Sequence, residues 1–197
     1  MSGYLTAVIS IVIILTAFLI CFELKKPSAA RLMPIVTLVV IGSVGRIIFA
    51  FVPQVQPLTA IVIISGACLG PSDGAMTGIL CAAASNVVLG QGPWTPFQML
   101  AWGIVGALAG LISKTKSGSS LIAITAYSVI AGAIFSIITD FYTIFSLYES
   151  MTFSYALTIL VTGLIFNVSH MIFNAIFVAI LYTPFKHMLT RVRKKYL

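Results

Sequence analysis

The sequence predicts an all-α, polytopic membrane helical bundle, and three observations carry that prediction. Of 197 residues, 60% are hydrophobic and only 8% are charged, against about 25% charged in a soluble domain. A water-soluble chain of 21.1 kDa needs a charged skin, and eleven basic plus four acidic side chains do not supply one. The mean hydropathy of +1.14 agrees. The apolar residues also fall into runs close to the ~20 needed to cross ~30 Å of hydrocarbon. The length allows one domain. Soluble enzymes, nucleic-acid modules and disordered tails are excluded as first readings. Three cysteines (Cys21, Cys68, Cys81) sit in separate apolar stretches without metal-ligand spacing, so they read as core thiols.

The elements follow in order along the chain. Residues 4–22 carry no charge and suffice for one span; they lack the basic start of a signal peptide. Residues 32–52 form a second span, interrupted only by Arg46. Residues 58–69 are short and closed by Gly70-Pro71-Ser72-Asp73-Gly74, a turn sequence. Residues 75–89 come next; with 58–69 they make either two short spans or a re-entrant hairpin. Spans at 97–112 and 121–139 flank a polar loop at 114–120. The mixed, aromatic stretch 140–152 reads as interfacial. The last helix covers 153–182 and ends near Pro184.

The +7 net charge and pI of about 9.5 are then a matter of topology. Lys25, Lys26 and Arg31 share one loop, Lys114 and Lys116 another, and Lys186, Arg191, Arg193, Lys194 and Lys195 the tail. Alternating the spans places all three groups on one side. The opposite loops, 53–57, 90–97 and 140–152, hold no Lys or Arg, only Asp140 and Glu149. By the positive-inside rule the C-terminus is cytoplasmic and the N-terminus external. The basic tail also suits anionic lipid, but topology alone accounts for it.

Polar groups inside the spans mark candidate sites. Arg46 is costly in a membrane unless it is paired or faces a water-filled cavity. Asp140, at a comparable depth, is its expected partner; a ligand pocket open to the outside is the other reading. Asn167, His170 and Asn174 share one face of the last helix. Interhelical hydrogen bonding explains them, and a proton relay or metal ligand at a midplane His170 is the alternative. The external loops carry Gln54 and Gln56 between prolines, then Gln91, Trp94, Gln98 and Trp102. Amides offer donors and acceptors and indoles offer flat apolar faces, a lining suited to a rigid organic solute. An interfacial aromatic belt explains Trp94 but not the nearby glutamines. Gly66 and Gly70, Gly74 and Gly78, and Gly106 and Gly110 are spaced for close helix packing.

Other chemistry fails on inspection. Gly70 to Gly74 matches G-x-S-x-G, but the match joins two helices, not a strand and a helix, and His170 lies too deep to serve Ser72. No nucleotide motif or paired carboxylates occur, so if the chain serves ATP-driven transport, another subunit must supply that work. The chain is not expected to be an enzyme and needs no metal or other cofactor of its own.

Gly45-Arg46 ahead of Pro53-Gln54-Val55-Gln56-Pro57, then Ser85-Asn86, the run from Gly90 to Met99, and Ala101-Trp102-Gly103 resemble the substrate-binding (S) components of energy-coupling-factor vitamin transporters. The resemblance covers residues 31–197 as six helices and is densest between 45 and 110. It implies a prokaryotic multi-pass membrane protein that binds a vitamin near the outer surface. It implies as partners a transmembrane coupling subunit and two cytoplasmic ATPases that use ATP and Mg, the binding subunit toppling to present its cargo inside. It places ligand contacts at Gln54 and Gln56, at Asn86, at Gln91, Trp94, Gln98 and Trp102, and at Asp140, Tyr142, Asn167 and His170, with Arg46 and Asn174 beside them. Two departures stand out: residues 1–30 add an N-terminal helix and basic loop, and the first family helix offers only Gly42, Ser43 and Gly45 where an Ala-x-x-x-Ala docking surface is usual. Within the family the likeness is to components for cobalamin or a related corrinoid, whose side-chain amides suit amide-rich loops. Pantothenate remains open through a carboxylate on Arg46. The rival reading is a self-sufficient channel or proton-coupled carrier using Arg46 and His170.

Overall fold

The computed structural model describes residues 2–146 and 152–196. Seven helices follow one another: α1 (Ser2–Glu23), α2 (Ala29–Ile48), α3 (Leu58–Leu69), α4 (Pro71–Leu89), α5 (Thr95–Ile112), α6 (Leu121–Ser146) and α7 (Phe153–Tyr196). Six are long and apolar enough to cross a membrane, and the 12-residue α3 is not. The described residues contain no strand.

Local chemistry sets most boundaries. The Ser28 hydroxyl accepts from the Arg31 N–H and caps α2, meeting one of the donors that a helix start leaves unpaired. Pro71 stands at the first position of α4, where its missing N–H costs nothing, so α4 starts four residues before the apolar run at 75 suggests. Between α3 and α4 only Gly70 intervenes, at φ +114°, a backbone that a side chain would strain. The second span ends at Ile48 instead of 52, because residues 49–57 turn toward Pro53 and Pro57. The interfacial segment expected from Asp140 is instead a continuation of α6 to Ser146. Glu149, expected on the same side as Asp140, lies outside the described residues.

α7 corrects the sequence reading most. It was expected to stop near Pro184, yet it runs unbroken for 44 residues through that proline. A proline inside a helix removes one hydrogen bond and crowds one carbonyl. Here the flanking side chains hold the helix: Tyr182 and Lys186 both donate to the Ser119 carbonyl, and Leu189 is buried.

Contacts between α2 and α3 set the course of α3 through the bundle. Gly45 lies against Pro57 and Gly42 against Ile61, so the helices run antiparallel. Arg31, one turn into α2, reaches Asp73, one turn into α4. α3 therefore descends beside α2 from the level of Gly45 to that of Arg31, about 20 Å at 1.5 Å per residue. It is a traverse of the bundle and not a dip from one side. Its residues Leu58 through Gly66 are all buried, placing α3 at the centre among α2, α4, α5, α6 and α7.

The packing is close where glycines meet. A Cβ on Gly106 would sit 2.2 Å from the Gly74 carbonyl oxygen, and one on Gly66 2.1 Å from that of Gly106. These backbones touch directly, so the glycine pairs serve the internal seam of α3, α4 and α5. Gly42 and Ser43 also face inward. The outward face of α2 carries Met33, Val36, Val40 and Val44 instead, matching a hydrocarbon surrounding. α1 packs Ile11 and Leu15 against Ile79 and Phe97.

The three basic groups share one end of the bundle. Arg31 bonds Asp73 through Nη2 at 2.6 Å and lies over the Phe22 ring, and Lys186 reaches the loop after α5. Residues 49–57 and 90–94, without a cation, close the opposite end.

Candidate ligand-binding site

Arg46 sits in the last turn of α2, at the end opposite the basic groups. Its side chain turns inward, because lipid offers a guanidinium nothing. Nε donates to Gln56 Oε1 at 3.1 Å, and Nη1 to Ser85 Oγ at 2.6 Å and Asn86 Oδ1 at 2.7 Å. Nη2 has one long contact, 3.5 Å to Gln98 Oε1. The guanidinium lies over the Trp102 ring, 4.9 Å from its centroid, a cation–π arrangement. One side chain thus ties α2, the loop after it, α4 and α5 together.

The amides are ordered around this cation. Asn86 Nδ2 donates to Gln98 Oε1 at 2.8 Å and to Thr95 Oγ1 at 3.1 Å. The oxygens of Gln56, Asn86 and Gln98 are therefore committed. The NH2 groups of Gln56 and Gln98 make no hydrogen bond within the described residues. Beside Arg46 a cavity of about 290 Å³ opens, lined by Phe49, Val52, Gln54, Gln56 and Leu89. Gln54 takes a left-handed backbone, φ +63°, which bends the 49–57 loop over this hollow.

Below lies a second polar group. Trp102 Nε1–H donates to Thr59 Oγ1 at 3.0 Å, and Thr59 lies 3.3 Å from His170 Nε2. Indole N–H is only a donor, so Thr59 Oγ1 accepts from Trp102 and shares a second hydrogen bond with His170 Nε2. His170 is fully buried between Thr59 and the Phe135 ring, 5.1 Å away. It stands level with the first turn of α3, not at the midplane. Asn174, one turn further, is also fully buried, and its side-chain amide has no hydrogen-bond partner among the described residues.

The remaining expected residues divide. Asp140 does not pair with Arg46; it accepts from Asn167 Nδ2 at 3.0 Å, between α6 and α7. Arg46 has no carboxylate partner among the described residues. Trp94 packs edge-on against Tyr142 at 6.4 Å, and Phe97 lies 5.4 Å from the same ring. That cluster belongs to the seam of α1, α5 and α6, reaching Tyr4 at 6.5 Å. Gln91 is exposed, donating to the Ala83 carbonyl and accepting from Thr95, so it shapes the loop. Arg46, Gln54, Gln56, Asn86, Gln98 and Trp102 therefore form one site, with His170 behind its floor. Sequence reasoning missed Thr59 and Thr95. Thr59 was legible only as one of two hydroxyls, with Ser65, in an otherwise apolar run.

With this geometry in view, a comparison with family models becomes informative. The family described as the ECF-type riboflavin transporter, S component, matches residues 35–189. The chain belongs to this family. S components bind substrate for a transporter and are not enzymes, and they work with a coupling subunit and ATPases. The match begins within α2 and leaves α1 outside. No curated protein and no solved structure matches the chain. The family read from the Gly45–Gly103 motifs is thus correct, whereas its cobalamin branch is unsupported. Ser72 lies in the first turn of α4, the length of α3 away from His170, so the G-x-S-x-G match assembles no catalytic group.

Proposed function

We propose that this chain captures a water-soluble vitamin at the end bearing Arg46 and delivers it through a transmembrane coupling subunit and two ATPases that supply ATP and Mg chemistry. The observation that carries this reading is the Arg46–Gln56–Asn86–Gln98 cluster on the Trp102 face, opening on a cavity. Segregated charge supports an orientation with the basic end in the cytoplasm and the cavity outside. In this reading residues 31–197 bind and α1 is an addition to that unit.

The family description makes riboflavin the first ligand to test. A corrinoid fits less well: about 290 Å³ lies at the bottom of the range for small-molecule pockets, and a corrin with its amide arms exceeds it. The test is calorimetry of the purified chain against a vitamin panel that includes riboflavin, pantothenate and cobalamin. Binding of one member at micromolar Kd or tighter is expected. Silence across the panel would sink the reading. Liposomes holding the chain alone separate it from an independent carrier: no gradient-driven uptake is expected without the ATPases.

A further inference from the structure

We infer that the ligand carries an acidic group, a carboxylate or phosphate, that docks on the Nη2 edge of Arg46. This rests on the vitamin-binding reading and narrows it. A side chain with a full charge, withdrawn from bulk water, is normally matched by an opposite charge. Arg46 is not. The acidic residues Glu23 and Asp73 lie at the far end, the latter held by Arg31, and Asp140 is bound to Asn167. What surrounds Arg46 is neutral: two amide oxygens and a hydroxyl at good distance, and a ring face.

The polarity of those neighbours points the same way. Because Arg46 draws the oxygen of Gln56 and Asn86 that of Gln98, these two amides turn their NH2 groups elsewhere, while the Asn86 NH2 is taken by Gln98 and Thr95. At Gln56 and Gln98 the acceptors are consumed and the donors remain. Nη2 itself, with one contact at 3.5 Å, has unused N–H capacity. A cavity lined by Arg46 and by the spare Gln56 NH2, with no carboxylate beside them among the described residues, selects an acceptor with negative charge. A guanidinium meets a carboxylate or phosphate in two parallel, charge-assisted hydrogen bonds. Trp102 blocks retreat from below, and Gln54 and Gln56 stand at the mouth.

The inference is tested on the wild-type chain in a neutral detergent, with ligand pairs that differ in the acid group alone. Riboflavin 5′-phosphate is titrated against riboflavin, and pantothenate against panthenol. In the pair that binds, the acid should bind roughly 100-fold tighter, the scale of a charge-assisted pair. Arg46→Gln should reduce that preference below about tenfold, while Arg46→Lys keeps part of it. Equal binding of acid and neutral partner by the wild-type chain would overturn the inference and leave the vitamin-binding reading standing. So would a preference that survives in Arg46→Gln. Failure of every compound to bind would remove both. Should Arg46→Gln not fold, the wild-type pairs decide alone. Added phosphatidylglycerol that displaces the acid would identify a lipid headgroup as the occupant and refute the vitamin assignment.

Discussion

Thr59 carries more than its size suggests. Its hydroxyl is the hydrogen-bonded link, among the described residues, between the Trp102 indole under Arg46 and the buried His170. Thr59→Val keeps the shape and removes the link, leaving the Trp102 N–H and His170 Nε2 unpaired in the core. Each such group costs about 1–3 kcal/mol, so a clear drop in the thermal midpoint in detergent is expected. If the midpoint is unchanged, the Trp102–Thr59–His170 chain is not formed. At this scale the sequence was half legible. That Arg46 needs company followed from the cost of an intramembrane cation. Which company did not: Asp140 is at a similar depth, but lies across the bundle against Asn167. Depth can be counted along a chain; azimuth around a bundle depends on how helices dock. The same lack divided the glutamines, since Gln91 sits in the expected loop yet turns to Ala83.

Among the helices, the seam of α3, α4 and α5 is set by backbone contact. Gly106→Ala would place a methyl 2.2 Å from the Gly74 carbonyl oxygen, and no side chain is available to yield. Overpacking of this kind costs about 1–3 kcal/mol or more, and poor folding yield is expected. Val44→Ala on the outward face is the control and should be nearly neutral. The opposite sign is expected at Pro184, which interrupts the hydrogen bonding of a continuous α7. Pro184→Ala should stabilise the helix, by up to about 3 kcal/mol, and leave ligand affinity unchanged because it lies at the basic end. A changed affinity would show that the two ends are coupled through α7. The spans themselves were legible because length and hydropathy are local properties. The course of α7 past Pro184 was not, because Tyr182, Lys186 and Leu189 hold it through contacts beyond the helix itself.

For the whole molecule, the question is which end faces the cell interior. Eleven basic residues against four acidic ones, with every cation but Arg46 at one end, give a field that membrane insertion reads directly. The remaining cation, Arg46, is held by Gln56, Ser85 and Asn86 at the other end, and in the proposed reading it serves the ligand. Sidedness is then a strict condition on function: a capture site must meet the outside. Pro93→Cys and Lys116→Cys, both at exposed positions at opposite ends, report it in a background where the exposed Cys21 is replaced by Ser. A membrane-impermeant maleimide should label position 93 in intact cells and position 116 only after permeabilisation. The reverse pattern would put the Arg46 cavity in the cytoplasm, where it can take up nothing from outside. It would leave the family membership intact while removing the physical basis for reading that cavity as the port of entry.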